Sequence, residues 1–175
     1  KKGMVAMKGS YHGKSFGALS LTFNPKYRKA FAPLVEKVSF ASFGDMDSLR
    51  SAIDEDTALI ILEPIQGESG IIVAPDGFLQ EVRNLCNEKG ILLIFDEIQA
   101  GLGRTGRLWA GEHWNTTPDI LCLAKGIAGG VPMGATLVRP DILAAISKGE
   151  HSSTFGGNPI SCAAGIAALT SITED

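Results

Sequence analysis

The chain has 175 residues, 45% hydrophobic and 20% charged, and its 16 basic and 19 acidic side chains give a net charge of −3. That composition predicts one globular domain with a substantial core and excludes a disordered chain. It offers no basic surface for nucleic acid, no apolar run long enough for a bilayer, and no signal peptide, since Lys1-Lys2-Gly3 leads into only a short apolar stretch.

Taken in chain order, short apolar segments recur at Met4–Met7, Val38–Ala41, Ala58–Leu62, Ile91–Phe95, Ile120–Leu123 and Ala135–Val138. Several are apolar at every position, as expected of strands covered on both faces of a parallel sheet. Between them, Asp76–Lys89 predicts a helix in which Phe78, Leu79, Val82, Leu85 and Cys86 form one stripe, Asp76 caps the start and Gly90 closes the end. A second helix is expected from Asn158-Pro159, a cap followed by proline at the first helical position. The alternation predicts an α/β fold, a three-layer sandwich with a mostly parallel sheet. The abrupt ends suggest a piece of something longer.

Cys86, Cys122 and Cys162 form no C-x-x-C pair, and the three histidines (His12, His113, His151) show no metal-ligand spacing. Reduced thiols in a cytoplasmic protein, with no metal, are the expectation.

Ligands of parallel sheets bind beyond the carboxyl ends of the strands, so the polar residues just after each strand carry the functional information. Gly13-Lys14-Ser15 resembles the end of a P-loop. However, Gly9 and Gly13 enclose three residues where that loop needs four, and Tyr11 and His12 are bulky for a phosphate cradle. Gly101-Leu102-Gly103-Arg104-Thr105-Gly106 is a literal G-x-G-x-x-G, yet it lies away from any strand-to-helix turn.

A third reading absorbs more residues. Pyridoxal phosphate needs a lysine to form an imine and an acid to keep its pyridine nitrogen protonated. It also needs a cover for its ring and donors for its phosphate. Lys125 and Asp96 follow two of the apolar strands, where they can reach opposite sides of one small ring. Tyr11 offers a ring to stack, and Ser153-Thr154 offers hydroxyls beside Gly156-Gly157. Each residue alone has a plainer explanation: a solvated lysine, a capping aspartate, ordinary turns, and surface charges at Glu63 and Glu68.

Several motifs in one order resemble the class III aminotransferases, in particular the acetylornithine and ornithine branch. They are Tyr11-His12-Gly13-Lys14-Ser15, Asn24-Pro25-Lys26-Tyr27-Arg28, Glu63-Pro64-Ile65-Gln66-Gly67-Glu68 and Asp96-Glu97-Ile98-Gln99. Gly103-Arg104-Thr105-Gly106, Pro118-Asp119-Ile120-Leu121, Ala124-Lys125-Gly126 and Ser153 through Pro159 continue the series. The resemblance implies that residues 1–175 are the large, cofactor-binding domain of the aspartate-aminotransferase-like fold (fold type I), acting as a homodimer with shared sites. It implies that an upstream phosphate loop and a downstream small domain, with a second carboxylate-binding arginine, are absent from the chain.

On the same resemblance, Lys125 is the Schiff-base lysine, Asp96 the partner of the pyridine nitrogen and Gln99 the contact to the ring hydroxyl. Tyr11 covers the ring, in a position the branch usually fills with phenylalanine. Thr154 reaches the phosphate of the neighbouring subunit's cofactor, with Ser153 near the substrate. Glu63 lies near the ring and Glu68 near the amino-acceptor pocket. Lys14 stands where the branch has an arginine, and a point charge replaces a planar fork. The implied reaction moves the terminal amino group of an ornithine- or lysine-like donor, N-acetylornithine first, to 2-oxoglutarate. Ornithine, 4-aminobutyrate and carrier-linked lysine remain as donors, and a folded, non-catalytic module remains as an alternative of another class.

Overall fold

The computed structural model describes residues 1–174. In chain order it contains β1 (Gly3–Met7), α1 (Phe16–Leu21), α2 (Pro25–Arg28), β2 (Val38–Ala41), α3 (Met46–Ala52), β3 (Thr57–Leu62), β4 (Ile65–Gln66) and β5 (Ile72–Val73). It continues with α4 (Phe78–Lys89), β6 (Leu92–Asp96), β7 (Ile120–Leu123), β8 (Ala135–Val138), α5 (Pro140–Leu143) and α6 (Pro159–Glu174).

Six strands form one sheet in the order β2-β1-β3-β6-β7-β8. The pairings from β2 through β7 are parallel, and β8 closes the edge antiparallel to β7. All six predicted strands are present, in the mostly parallel sheet that their unbroken apolar character requires. The core runs along the middle of this sheet, where Val5, Met7, Ile60, Leu62, Leu93 and Phe95 are almost wholly excluded from water.

Helix α4 buries the predicted stripe of Phe78, Leu79, Val82, Leu85 and Cys86. Each of its large apolar side chains contributes about 1.5–3 kcal/mol by leaving water. Its beginning differs from the expectation: Gly77, not Asp76, occupies the cap, with φ 78° and no side-chain hydrogen bond. The chain enters the helix from the Pro75-Asp76-Gly77 turn, and a left-handed entry suits glycine, which has no Cβ to clash. At the other end Gly90 is left-handed as expected and returns its N–H to Cys86. Helix α6 begins as predicted, with the Asn158 carboxamide accepting the Ser161 N–H at 2.9 Å.

Register brings the functional loops to one edge. In the parallel β3–β6 pair Leu62 faces Phe95, so Glu63 and Asp96, the next residues, leave the sheet level with each other. Asp96 in turn faces Cys122 on β7, which places Lys125 just beyond the same edge. Among the described residues, no helix is long and apolar enough to cross a membrane, and no cluster of His, Cys, Asp and Glu is arranged to hold a metal.

Candidate active site

Two adjoining cavities open at the carboxyl edge of the sheet. The smaller, about 120 Å³, is lined by Tyr11, His12, Glu63, Asp96, Gln99 and Lys125, with Gly13 and Ile98. The larger, about 600 Å³, shares Gln99 and Lys125 and extends past Glu68 to Arg104 and Thr105. That volume suits a cofactor together with a small substrate. Four different strands deliver these residues: β1 leads to Tyr11 and His12, β3 to Glu63, β6 to Asp96 and Gln99, and β7 to Lys125.

Asp96 is buried, and its carboxylate is held from two sides. Oδ1 accepts the Ile98 N–H at 3.1 Å, and Oδ2 lies 2.8 Å from His12 Nδ1. The proton of that contact belongs on Nδ1, because a carboxylate oxygen only accepts. The backbone contact to Ile98 is the capping geometry of an ordinary turn, and no helix follows it. The same carboxylate therefore terminates the strand and faces the cavity. His12 is buried too, and its Nε2 has no partner among the described residues.

Glu63 is also buried. Oε2 accepts the Tyr11 N–H at 3.2 Å and Oε1 the Gly67 N–H at 3.5 Å. Burial pushes its carboxyl pKa above the ordinary value, with the nearby Asp96 charge adding to the rise and His12 and the two backbone donors opposing it. Lys125 is exposed to the cavity, and its Nζ donates to Gln99 Oε1 at 3.0 Å. The Lys125 backbone is left-handed, with φ 48°, a conformation that non-glycine residues rarely adopt. A Cβ added to Gly67 would stand 2.4 Å from the Gln99 carboxamide, so only glycine there leaves Gln99 its place beside Lys125.

The structure thus assembles Tyr11, Glu63, Asp96, Gln99 and Lys125 around one space, with Glu68 on the wall of the larger cavity. Lys14 lines neither cavity. It is exposed, and its ammonium lies 5.0 Å from the ring centroid of Tyr27, which packs edge-on against Tyr11. Ser153 and Thr154 are exposed and likewise line neither cavity. The glycines of Gly101–Gly106 form a surface turn, in which the Leu102 and Gly103 N–H groups both point to Leu108 O. No strand-to-helix junction is made there.

Two residues escaped the sequence reading. His12 was grouped with scattered histidines, although its place after β1 put it at the same edge as Asp96. Glu97 enters the sequence analysis only as a member of the Asp96-Glu97-Ile98-Gln99 motif, with no role of its own. It is 1% exposed, and its carboxylate accepts the Ala110 and Gly111 N–H groups at 2.6 and 2.8 Å. An acidic pair directly after an apolar strand was the available signal.

A model of the family "Aminotransferase class-III" matches residues 1–175. The chain belongs to the class III aminotransferases. Acetylornithine aminotransferase of Methanopyrus kandleri is 50% identical over 171 residues, which are 98% of this chain and 44% of that protein. Ornithine aminotransferase 1 of Staphylococcus saprophyticus is 49% identical over 173 residues. The ornithine aminotransferase of Toxoplasma gondii superposes with a TM-score of 0.94 at 38% identity, covering 98% of this chain and 41% of that one. An amine transaminase from an uncultivated Pseudomonas species, solved in its PLP-bound form, superposes with a TM-score of 0.90 at 31% identity, covering 98% of this chain and 46% of that one. Membership of the class III aminotransferases removes the P-loop and dinucleotide readings and confirms the α/β fold of the PLP-dependent transaminases. The chain spans less than half the length of these relatives.

Proposed function

We propose that the full-length protein is a pyridoxal-phosphate-dependent aminotransferase that moves the terminal amino group of an ornithine- or lysine-like donor to 2-oxoglutarate. N-acetylornithine is the first choice of donor, and 4-aminobutyrate and carrier-linked lysine are the alternatives. The observation that carries the reading is the convergence of Lys125 and Asp96 on one cavity from neighbouring strand ends. The relatives named for acetylornithine and ornithine support the donor class.

The residues present fit the cofactor. Asp96 is a buried carboxylate with two donors, which leaves lone pairs for a protonated ring nitrogen. Among the described residues Lys125 bears no carboxylate partner and donates only to Gln99, so its amine suits covalent work. Tyr11 supplies an aromatic face and Gln99 an amide for a ring hydroxyl. Thr154 is assigned to the phosphate in the neighbouring subunit of a homodimer, with Ser153 beside the substrate. When bound, pyridoxal phosphate supplies a cationic ring that accepts the electron pair released at the substrate carbon.

The chain's own residues do the rest. With the cofactor bound, Asp96 would favour a positive ring nitrogen by its opposite charge, in a site where burial strengthens the attraction. His12 fixes the carboxylate's orientation. Lys125 Nζ moves the proton off the amine-bearing carbon, and Gln99 holds that amine in place between turnovers. Glu68 bears on the donor preference from the wall of the larger cavity, and Lys14, which lines neither cavity here, is assigned to a substrate carboxylate in the full-length protein. The protein is expected in the cytoplasm, with small molecules as its reactants.

The test is borohydride reduction of the full-length protein loaded with pyridoxal phosphate, followed by peptide mass mapping. The expected product is a cofactor adduct on Lys125. An adduct on another lysine, or none, ends the proposal. Steady-state kinetics on acetylornithine, ornithine and 4-aminobutyrate rank the donors.

A further inference from the structure

We propose that Tyr27 is a positioning residue for substrate binding: its ring holds the Lys14 ammonium ready for a substrate carboxylate and ties that cation to Tyr11, the ring assigned to cover the cofactor. The proposal rests on the transaminase reading and on Lys14 meeting a carboxylate. What it adds is a role for Tyr27, which that reading leaves without one.

A lysine in this place has a disadvantage. Its ammonium is a compact charge on a flexible stem and must be ordered before it can hold an anion, whereas an arginine fork comes pre-organised. An acid could order it but would also neutralise the charge that the substrate needs. Tyr27 does the first without the second. The Lys14 ammonium lies 5.0 Å from the Tyr27 ring centroid, within the range of a cation–π contact. A neutral ring attracts the cation through its quadrupole and leaves the whole charge to an incoming carboxylate. Tyr27 in turn packs on Tyr11, with ring centroids 5.7 Å apart and planes at 74°. Arg28 makes a similar contact, 4.9 Å over Phe40, but that pair leads away from the site, because Phe40 packs on Phe23, which lines neither of the two cavities around Lys125.

The backbone keeps these three side chains together. Ser10 Oγ donates to the Leu21 carbonyl at 3.0 Å, and the Ser10 carbonyl accepts the Phe23 N–H at 2.9 Å. Between them the Thr22 hydroxyl accepts the His12 N–H at 2.9 Å and lies 3.1 Å from the Gly13 carbonyl oxygen. These contacts bracket Tyr11 and reach the residue before Lys14. On the facing segment Asn24 caps α2: its carboxamide accepts the Lys26 N–H at 2.9 Å and its carbonyl the Tyr27 N–H at 3.1 Å. Tyr27 thus sits in the first turn of a short helix entered through Pro25. It is half-buried while Lys14 is exposed, so the ring is the fixed member and the cation the one that needs holding. A further cavity of about 360 Å³ is lined by Tyr11, Asn24, Tyr27 and Glu68, among others. Glu68 also lines the larger cavity that contains Lys125, which gives a substrate a route from the reactive lysine past Glu68 towards Tyr27.

The experiment uses the full-length, cofactor-loaded protein and two unreactive probes. Valerate is the carbon skeleton of the donor without its amines, and valeramide is the same chain without the charge. Equilibrium titrations give the preference for acid over amide, which reads the carboxylate contact alone. Tyr27→Leu, which keeps apolar bulk at a half-buried place, is expected to lower that preference about three- to fivefold. Tyr27→Phe keeps the ring and should stay within about twofold of wild type. In steady state Tyr27→Leu should raise the KM for N-acetylornithine by the same factor, with kcat within about twofold, the pattern of lost binding. In a Lys14→Ala background Tyr27→Leu should change the preference no further. If Tyr27 served only to prop Tyr11 over the cofactor, its loss would weaken acid and amide alike, lower kcat and persist without Lys14. That result overturns the proposal, as does an unchanged preference in Tyr27→Leu or the absence of any preference in wild type. Because the probes need no turnover, an inactive wild type counts against the transaminase reading while the titrations still judge Tyr27.

Discussion

His12 Nδ1 and Asp96 Oδ2 lie 2.8 Å apart, with both side chains buried at the carboxyl edge of the sheet. The pair joins the loop after β1 to the end of β6, so the acid assigned to the ring nitrogen is oriented by a histidine from another strand end that shares the lining of the smaller cavity. Asp96→Asn keeps the shape and removes the charge. Its half-reaction with amino donor should slow roughly a hundredfold or more, while borohydride still fixes the cofactor on Lys125. His12→Gln should show a milder loss, about tenfold, concentrated in kcat, because the carboxylate survives without its guide. If Asp96 served only to terminate the turn, asparagine would replace it at little cost, and single-turnover absorbance traces near wild type would show that.

Gly67 controls Gln99. A methyl group at residue 67 collides with the Gln99 carboxamide, the far end of a flexible side chain that can swing away. Gly67→Ala should therefore leave the melting temperature within a few degrees of wild type yet detach Gln99 from Lys125. Activity should fall by about the amount seen in Gln99→Ala, and the double variant should be no worse than either single one. Additive losses would mean that residue 67 acts on something other than Gln99.

The raised pKa of Glu63 has a signed consequence for stability. In the folded protein the group binds its proton more tightly than in the unfolded chain, whose ordinary value is near 4.5. The folded state therefore holds more protons between that value and the raised one, and stability falls as pH rises through this window. Glu63→Gln removes the dependence. Melting temperatures of the cofactor-free full-length protein should favour the variant progressively as pH is raised from about 4.5 towards neutrality. A difference that stays flat with pH, or favours wild type as pH rises, contradicts the assignment of burial as the dominant cause.

Thr154 is exposed and stands apart from both cavities, and the proposal assigns it to the phosphate of another subunit's site. Mixing Lys125→Ala subunits with Thr154→Ala subunits tests this. In a verified heterodimer one site combines both defects and the other carries neither, so activity should return to part of the wild-type level. No recovery would place Thr154 in the site of its own subunit.

The sheet was legible because its strands are apolar at nearly every position, a pattern that few other environments permit. The residues directly after them were legible for the same reason, and Asp96, Glu63, Gln99 and Lys125 all fall there. What stayed hidden depended on distance or on brevity. His12 meets Asp96 across 84 residues of sequence, and its place after β1 gives the edge but not the partner. The hairpin of β4 and β5 has two-residue strands, too short to show a period. The start of α4 was read from a good capping residue, yet the backbone turned one residue later, at a glycine whose conformation no side-chain rule reveals. Lys14 was identified by position, but its cation settles on Tyr27, a partner thirteen residues away that only the folded loop brings near.

The left-handed backbone of Lys125 carries a consequence for how such a chain ages. Holding a side chain at φ 48° costs on the order of 1–3 kcal/mol, and glycine or asparagine would relieve much of it. Lys125→Gly should therefore give a protein that is inert but harder to melt. Only a step to glycine, or in part to asparagine or aspartate, relieves that cost; any other side chain bears it as lysine does. The proposed role of Lys125 is what would hold a lysine in so unfavourable a posture.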